Sequence, residues 1–252
     1  MAFPRVIWCL WFQGWENAPP LVRACGASWR QHNPDWQIVY LSEANLAVYC
    51  DTATDDLYRK DMTLVSLSNV IRVDLLRRHG GVWADATTYC LRPLNDWIYP
   101  AIATGFFAFD RPTVDRMLSS WFLAAQRKSY IVDALFRRIR SYWNERNGEP
   151  DQYHWFHHDI FYQLYKLDDE FRRLWDLAPK LSANGPHYFL PYEESLPGPV
   201  THGHRLIVET AQTPMLKLTH KIDHDAVQPD AVYRWLCDRI PGSVKIETAT
   251  AV

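Results

Sequence analysis

Asn69, Arg72, Asp85 and Thr87 form the densest set of groups in the chain able to hold a polar ligand. They lie in one continuous block, Ser68-Asn-Val-Ile-Arg-Val-Asp-Leu-Leu-Arg-Arg-His-Gly-Gly-Val-Trp-Ala-Asp-Ala-Thr-Thr88. On a helix, positions three apart share a face, which groups Asn69 with Arg72; on a strand, alternate residues point the same way, which groups Asp85 with Thr87. Both pairs could then converge on one ligand, with Arg72 offering a directed fork to oxygen anions. Taken alone, Asp85 after Gly80-Gly81 reads more readily as the cap of a turn, and Arg72 with the surrounding block turns the reading toward a ligand site. Asp74, Arg77 and Arg78 have the spacing of an exposed helical ion-pair set, and the reading leaves them outside the site.

Further polar groups lie elsewhere in the chain. His154-Trp-Phe-His-His158 has the two-histidine spacing of a zinc protease, and His202-Gly-His204 could add a ligand. Trp155 stands where such an enzyme needs its general-base Glu, so the hydrolase reading is set aside. Asp159 is open between an acceptor-side role and a hydrogen bond within a helix. Lys217, His220 and Lys221 read either as a solvated strand or as charges facing a ligand. Trp8 and Trp11 are three apart and cannot share a face of a strand; Trp11, nearer the strand's end, is open between core and a stacking role.

These groups need a frame. Val6 to Leu10 and Gln37 to Leu41 read as strands. The helix between them starts at Pro19-Pro20 and stops at Asn33-Pro34. That is a βαβ unit of a mostly parallel sheet flanked by helices, with a ligand crevice at the strand ends. No G-x-G-x-x-G follows the first strand. Leu64 to His79 reads as a helix closed by Gly80, and Val82 to Cys90 as one strand. Helices are expected from Pro112 to Ala125 with Asp110 as N-cap, from Ile131 to Arg146 and from Gln152 to Leu167. Together they suggest a helical insertion over about 110–170 in a single 1–252 domain. Pro179 to Pro199 reads as a long functional loop, Arg205 to Glu209 as a strand, and Thr248 to Val252 as frayed.

The block resembles that of the capsular polysaccharide synthesis proteins and, more distantly, of glycosyltransferase family 32 and the large clostridial toxin glucosyltransferases. Their shared pattern is S-D-x-x-R, an apolar helix, then G-G-x-[WY]-x-D-x-[DT]. Val6-Ile-Trp-Cys-Leu-Trp-Phe-Gln-Gly14, His157-His-Asp-Ile-Phe161, Ser182-Ala-Asn-Gly-Pro-His187 and Leu216-Lys-Leu-Thr-His-Lys221 are similar to other blocks of that family.

The resemblance implies a GT-A-like α/β fold and retaining transfer of a sugar from a nucleotide diphosphate donor, a UDP- or GDP-sugar. The acceptor would be a polysaccharide, glycolipid or small molecule. It implies that Asp85, with His220, holds Mn²⁺ or Mg²⁺, and that Trp11, Asn69, Arg72, Thr87, Lys217 and His220 bind the donor. Arg72, Asp85, Asp159 and Lys221 would serve the chemistry. A departing nucleoside diphosphate gains negative charge, which a divalent cation with Lys or Arg stabilises. The sequence departs from the pattern twice. Asn69 replaces the helix Asp, and Thr87 replaces the second acid, which leaves one charged ligand on the strand.

Composition narrows the alternatives. A net charge of -2 and a pI near 6.5 argue against a nucleic-acid partner. No apolar run approaches the length of a membrane span and no signal-peptide pattern opens the chain, so a cytoplasmic protein is expected, with peripheral membrane association left open. Cys9, Cys25, Cys50, Cys90 and Cys237 form no C-x-x-C pair and read as reduced, mostly buried residues. The rival to an enzyme is a silent nucleotide-sugar-binding protein whose site was eroded at Asn69 and Thr87.

Overall fold

The computed structural model describes residues 3–52 and 55–240, so the expected fraying of Thr248 to Val252 lies outside the described residues. The first half runs β1 (Val6–Leu10), α1 (Pro20–His32), β2 (Gln37–Leu41), α2 (Leu64–His79), β3 (Gly81–Ala84), β4 (Thr88–Cys90), α3 (Ile98–Ala101), β5 (Phe106–Thr113) and β6 (Arg116–Ala125). Then follow α4 (Tyr130–Asn144), a π-helix over Phe156–Tyr162, α5 (Gln163–Leu167), α6 (Asp169–Leu177), α7 (Tyr192–Ser195), α8 (His202–Glu209), β7 (Met215–Lys217) and α9 (Val232–Asp238).

The main sheet has the order β2-β1-β3-β6-β5. β1 pairs in parallel with both β2 and β3, whereas β6 runs antiparallel to β3 and to β5. Only β6 is therefore reversed. Alternation along each strand divides the core: Trp8, Trp83, Leu123 and Phe106 face α2, α4 and α6, while Ile7, Val82, Phe122 and Phe107 face α1 and α3. α1 is buried on a second side too, where Leu21, Ala24 and Cys25 meet the small β4–β7 sheet and α9. Four of the five cysteines are buried, and all are free. No helix among the described residues is long and apolar enough to cross a membrane.

The chain leaves β1 toward β2 on one side and returns as β3 on the other. In such a sheet the two connections part at the carboxyl ends of the neighbouring strands and leave a crevice there. Trp11 follows β1 and Asp85 follows β3, so this topology sets both at the crevice. Gly81 makes the tight approach of β3 to β1: its φ is 92°, and a Cβ there would lie 2.5 Å from the Val6 backbone oxygen.

Several expectations are corrected. Pro112 to Ala125 is not a helix but part of the β5–β6 hairpin, with Asp110 inside β5, so the insertion over 110–170 begins as sheet and becomes helical only from Tyr130. β6 sits between two strands, and from Trp121 to Ala125 every residue is buried. A strand covered on both faces loses the polar alternation that would distinguish it from a helix. Arg205 to Glu209 belongs to α8, because the Thr201 side chain accepts from the His204 backbone NH and opens a helix despite the β-branched Ile207-Val208 pair. Val82 to Cys90 is two strands, broken at Asp85. Asp74 is fully buried, held by Arg77, Arg78 and the Tyr58 hydroxyl, instead of lying in an exposed ion-pair set.

Candidate active site

Asp85 sits where the chain changes sheets. Its NH donates to the Trp121 carbonyl at 2.9 Å, completing the β3–β6 ladder, and its carbonyl then accepts from the Thr88 NH at 2.8 Å and the Thr88 hydroxyl at 2.7 Å. This turn sends the chain into β4, so Asp85 and Thr87 come together through a turn, not through the two-residue period of one strand. The side chain is fixed as well. Trp83 Nε1 donates to Asp85 Oδ1 at 2.8 Å, and Arg72 Nη2 lies 3.4 Å from the same oxygen.

Arg72 is held on every side. Its Nε and Nη2 donate to the Ser68 carbonyl and hydroxyl at 3.2 and 3.0 Å, Nη1 donates to the Ser120 carbonyl, and the guanidinium lies 5.2 Å from the Trp83 ring centroid. Burial pulls its pKa down and Asp85 pulls it back up, so the Arg72–Asp85 pair is matched in charge within the wall of the cleft. Lys217 approaches from β7: its ammonium donates to the Thr87 hydroxyl and, at 2.9 Å, to the Leu218 carbonyl. Burial lowers its pKa too, opposed by Asp85.

These residues line one lobe of a cleft, about 380 Å³ in volume, walled also by Trp11, Phe12, Leu64, Val65 and Ser68. A second lobe of about 440 Å³ shares Thr87, Tyr153, Lys217 and His220 with the first and is closed by Arg116, Trp121, His187, Glu193 and Lys221. The Trp11 and His220 rings meet edge to face at 5.5 Å. His220 is held below the usual histidine pKa by burial and by Lys217 and Lys221, and His187 is pushed down to about 4 by burial, then by Lys217 and Arg116.

Arg72, Asp85, Thr87, Lys217, His220 and Trp11 are thus gathered in one place, while Lys221 stands exposed on the second lobe only. Two expected residues are elsewhere. Asn69 is buried on α2 and does not line the cleft. The cleft face of this helix runs through Leu64, Ser68 and Arg72, four apart, and Asn69 is turned off it. Asp159 lies on the π-helix and accepts from the Tyr142 hydroxyl of α4 at 2.9 Å, the helix hydrogen bond that its sequence left open. His154 and His158 gather no metal set, for no group of three His, Cys, Asp or Glu able to hold an ion occurs among the described residues. Arg116, Tyr153 and Glu193 are cleft residues that sequence reasoning missed. Arg116 was hidden by the mistaken helix, and the other two lie in loop or short-helix segments with no periodic signal.

The family model of the capsular polysaccharide synthesis proteins matches residues 2–236, nearly the whole chain. The chain belongs to that family. A curated relative of this family member, the O-glycosyltransferase braB of Annulohypoxylon truncatum, is 26% identical over 158 residues, 55% of this chain and 37% of that protein. The matched stretch thus spans little more than a third of that relative's length. Among solved structures, the apo-form glycosyltransferase GlyE of Streptococcus pneumoniae TIGR4 superposes over 96% of this chain and 61% of its own, with a TM-score of 0.53 at 12% identity. At that identity the likeness shows a shared fold and nothing beyond it. The PaToxG glycosyltransferase aligns over 76% of this chain and 86% of its own at 12% identity, with a TM-score of 0.43, too low to bear on the fold.

Proposed function

We propose that this member of the capsular polysaccharide synthesis family is a metal-assisted glycosyltransferase that takes a sugar from a nucleotide diphosphate donor bound in the first lobe. The observation that carries the reading is the carboxylate–guanidinium pair of Asp85 and Arg72 at the carboxyl end of β3, with Lys217 and His220 in the same lobe. A chain with a net charge of -2 has concentrated cations around a single carboxylate, Asp85, in that lobe. This suits a ligand bearing several negative oxygens.

The residues present fit a divalent cation. Asp85 Oδ1 is taken by Trp83 and Arg72, while Oδ2 makes no hydrogen bond among the described residues. A hard cation such as Mg²⁺ or Mn²⁺ uses one or two protein ligands and completes its shell with phosphate oxygens and water, so an all-protein cage is not needed. Asp85 would hold it, with His220 as a second ligand, and it would neutralise charge on the departing diphosphate. Lys217 would set a fixed positive charge beside the diphosphate, and the Thr87 hydroxyl, which accepts from Lys217, would orient that ammonium. Trp11 lines the same lobe, where its aromatic ring would receive the base. Lys221 would add charge from the second lobe as the leaving group departs.

Donor hydrolysis by the purified protein tests the reading, with UDP-, GDP- and CMP-sugars and with Mn²⁺, Mg²⁺ or chelator. Metal-dependent release of the nucleotide is expected for at least one donor. Nucleotide binding without release under every condition would reassign the chain to a binding role, and absence of both would remove the proposal.

A further inference from the structure

The second lobe holds hydrogen-bonding groups that the fold leaves unused. Ser119 Oγ, Trp121 Nε1 and His157 Nδ1 are shielded from solvent, pair with nothing among the described residues, and belong to side chains that line this lobe. A buried polar atom left unpaired destabilises the fold, so several along this lobe call for a ligand or water that satisfies them. The Trp121 ring is no open platform for a sugar face. Phe109 stacks on it at 5.1 Å and His187 tilts against it at 5.5 Å, so the indole NH is what remains to offer.

Arg116 stands on the same wall, at the start of β6. Its Nε donates to the Thr113 hydroxyl at 2.8 Å and lies 3.7 Å from Asp115, whereas its two terminal nitrogens make no hydrogen bond among the described residues. His157 and His187 stay neutral beside it, pushed down to about 3 and about 4, first by burial and then by neighbouring cations that include Arg116. Indole NH and guanidinium can only donate, and a serine hydroxyl can do so as well. Against them the lobe's lining sets one carboxylate, the exposed Glu193. A wall rich in donors is complemented by anionic oxygens better than by sugar hydroxyls, which bring a donor with every acceptor.

We infer that the second lobe is an acceptor subsite whose ligand presents an anionic oxygen group on a sugar ring, a carboxylate or a phosphate ester, to Arg116, with Ser119 and Trp121 donating beside it. The word acceptor rests on the donor reading of the first lobe; the recognition of an anionic sugar does not. Arg116 lines only the second lobe and Arg72 only the first, whereas Lys217 borders both.

Calorimetric titration of the full chain with methyl glucuronide, glucose 6-phosphate and methyl glucoside tests the inference, with UDP and GDP titrated in parallel. At least one anionic sugar should bind about tenfold tighter than the neutral glucoside, as a charge-assisted fork requires, and the tighter of the two tells carboxylate from phosphate. Arg116→Gln should erase that preference and leave nucleotide binding intact. Arg111→Gln, whose side chain is 80% exposed on the same hairpin, should change neither. Equal binding of charged and neutral sugars would overturn the inference. So would a preference that survives Arg116→Gln or falls equally with Arg111→Gln, or no sugar binding up to about 50 mM, where even a millimolar site saturates. If neither UDP nor GDP binds while an anionic sugar binds through Arg116, the donor reading fails and the anionic subsite stands.

Discussion

Asp85→Asn separates what this carboxylate does for the fold from what it does for turnover. Asn keeps the shape and an oxygen that can accept from Trp83 Nε1, so the turn from β3 into β4 is retained. What is lost is the charge opposite Arg72, whose side chain is 6% exposed against 26% for Asp85. At 3.4 Å and an effective dielectric of about 20 the gross attraction is roughly 5 kcal/mol. The partial exposure of Asp85 and the three other hydrogen bonds of Arg72 offset much of this, leaving a net loss of about 1–3 kcal/mol in unfolding free energy. A domain with a stability of about 5–15 kcal/mol remains folded under that loss. Donor turnover should nevertheless fall by about 100-fold or more, because the cation loses the charged ligand of its site. The two effects are read independently, by urea unfolding and by metal-dependent nucleotide release. Wild-type turnover in a folded Asp85→Asn protein would refute the metal assignment. A turnover loss matched by an equal loss of folded protein would make Asp85 a structural residue only.

Arg72→Ala should weaken donor binding by about tenfold or more, whereas Arg77→Ala should act on stability alone, since Arg77 bonds the buried Asp74 away from the cleft; equal donor affinities in a titration would count against the Arg72 role. Lys221→Ala should lower kcat by about 10- to 100-fold with a smaller rise in donor KM, the pattern of a contact made as the leaving group departs, and a change confined to KM would place it in ground-state binding instead. His187, held at about 4 against an unfolded value near 6.5, takes up its proton in the unfolded chain first. Its contribution is therefore complete above pH 6.5 and is lost as pH falls toward 4, by about 2 kcal/mol at pH 5. His187→Asn should lose less stability than the parent between pH 7 and pH 5 in urea unfolding, and parallel losses would show that His187 is not the titrating group.

Much of the frame was legible because its signals are local. α1 and α2 begin and end where Pro19-Pro20, Asn33-Pro34 and Gly80 place the signals, and β1 and β2 stand out as short apolar, β-branched runs even though β1 is buried along its whole length. The candidate site was legible through Arg72, Asp85, Lys217 and His220, because charged groups near a buried helix and strand need a reason to be there. The sequence could not show β6, which is inserted between β3 and β5 and reads as an apolar run that fits either period. Which side of α2 faces the cleft was out of reach for a related reason. Helical spacing says which residues neighbour one another but leaves the rotation of the helix open, and packing turned the cleft-facing side of α2 to Leu64, Ser68 and Arg72. The turn at Asp85 is likewise tertiary, because it depends on Trp121 of β6 receiving its NH and on β7 waiting to pair with β4. Local chemistry thus chose the residue types of the site, and long-range strand pairing decided which of them meet.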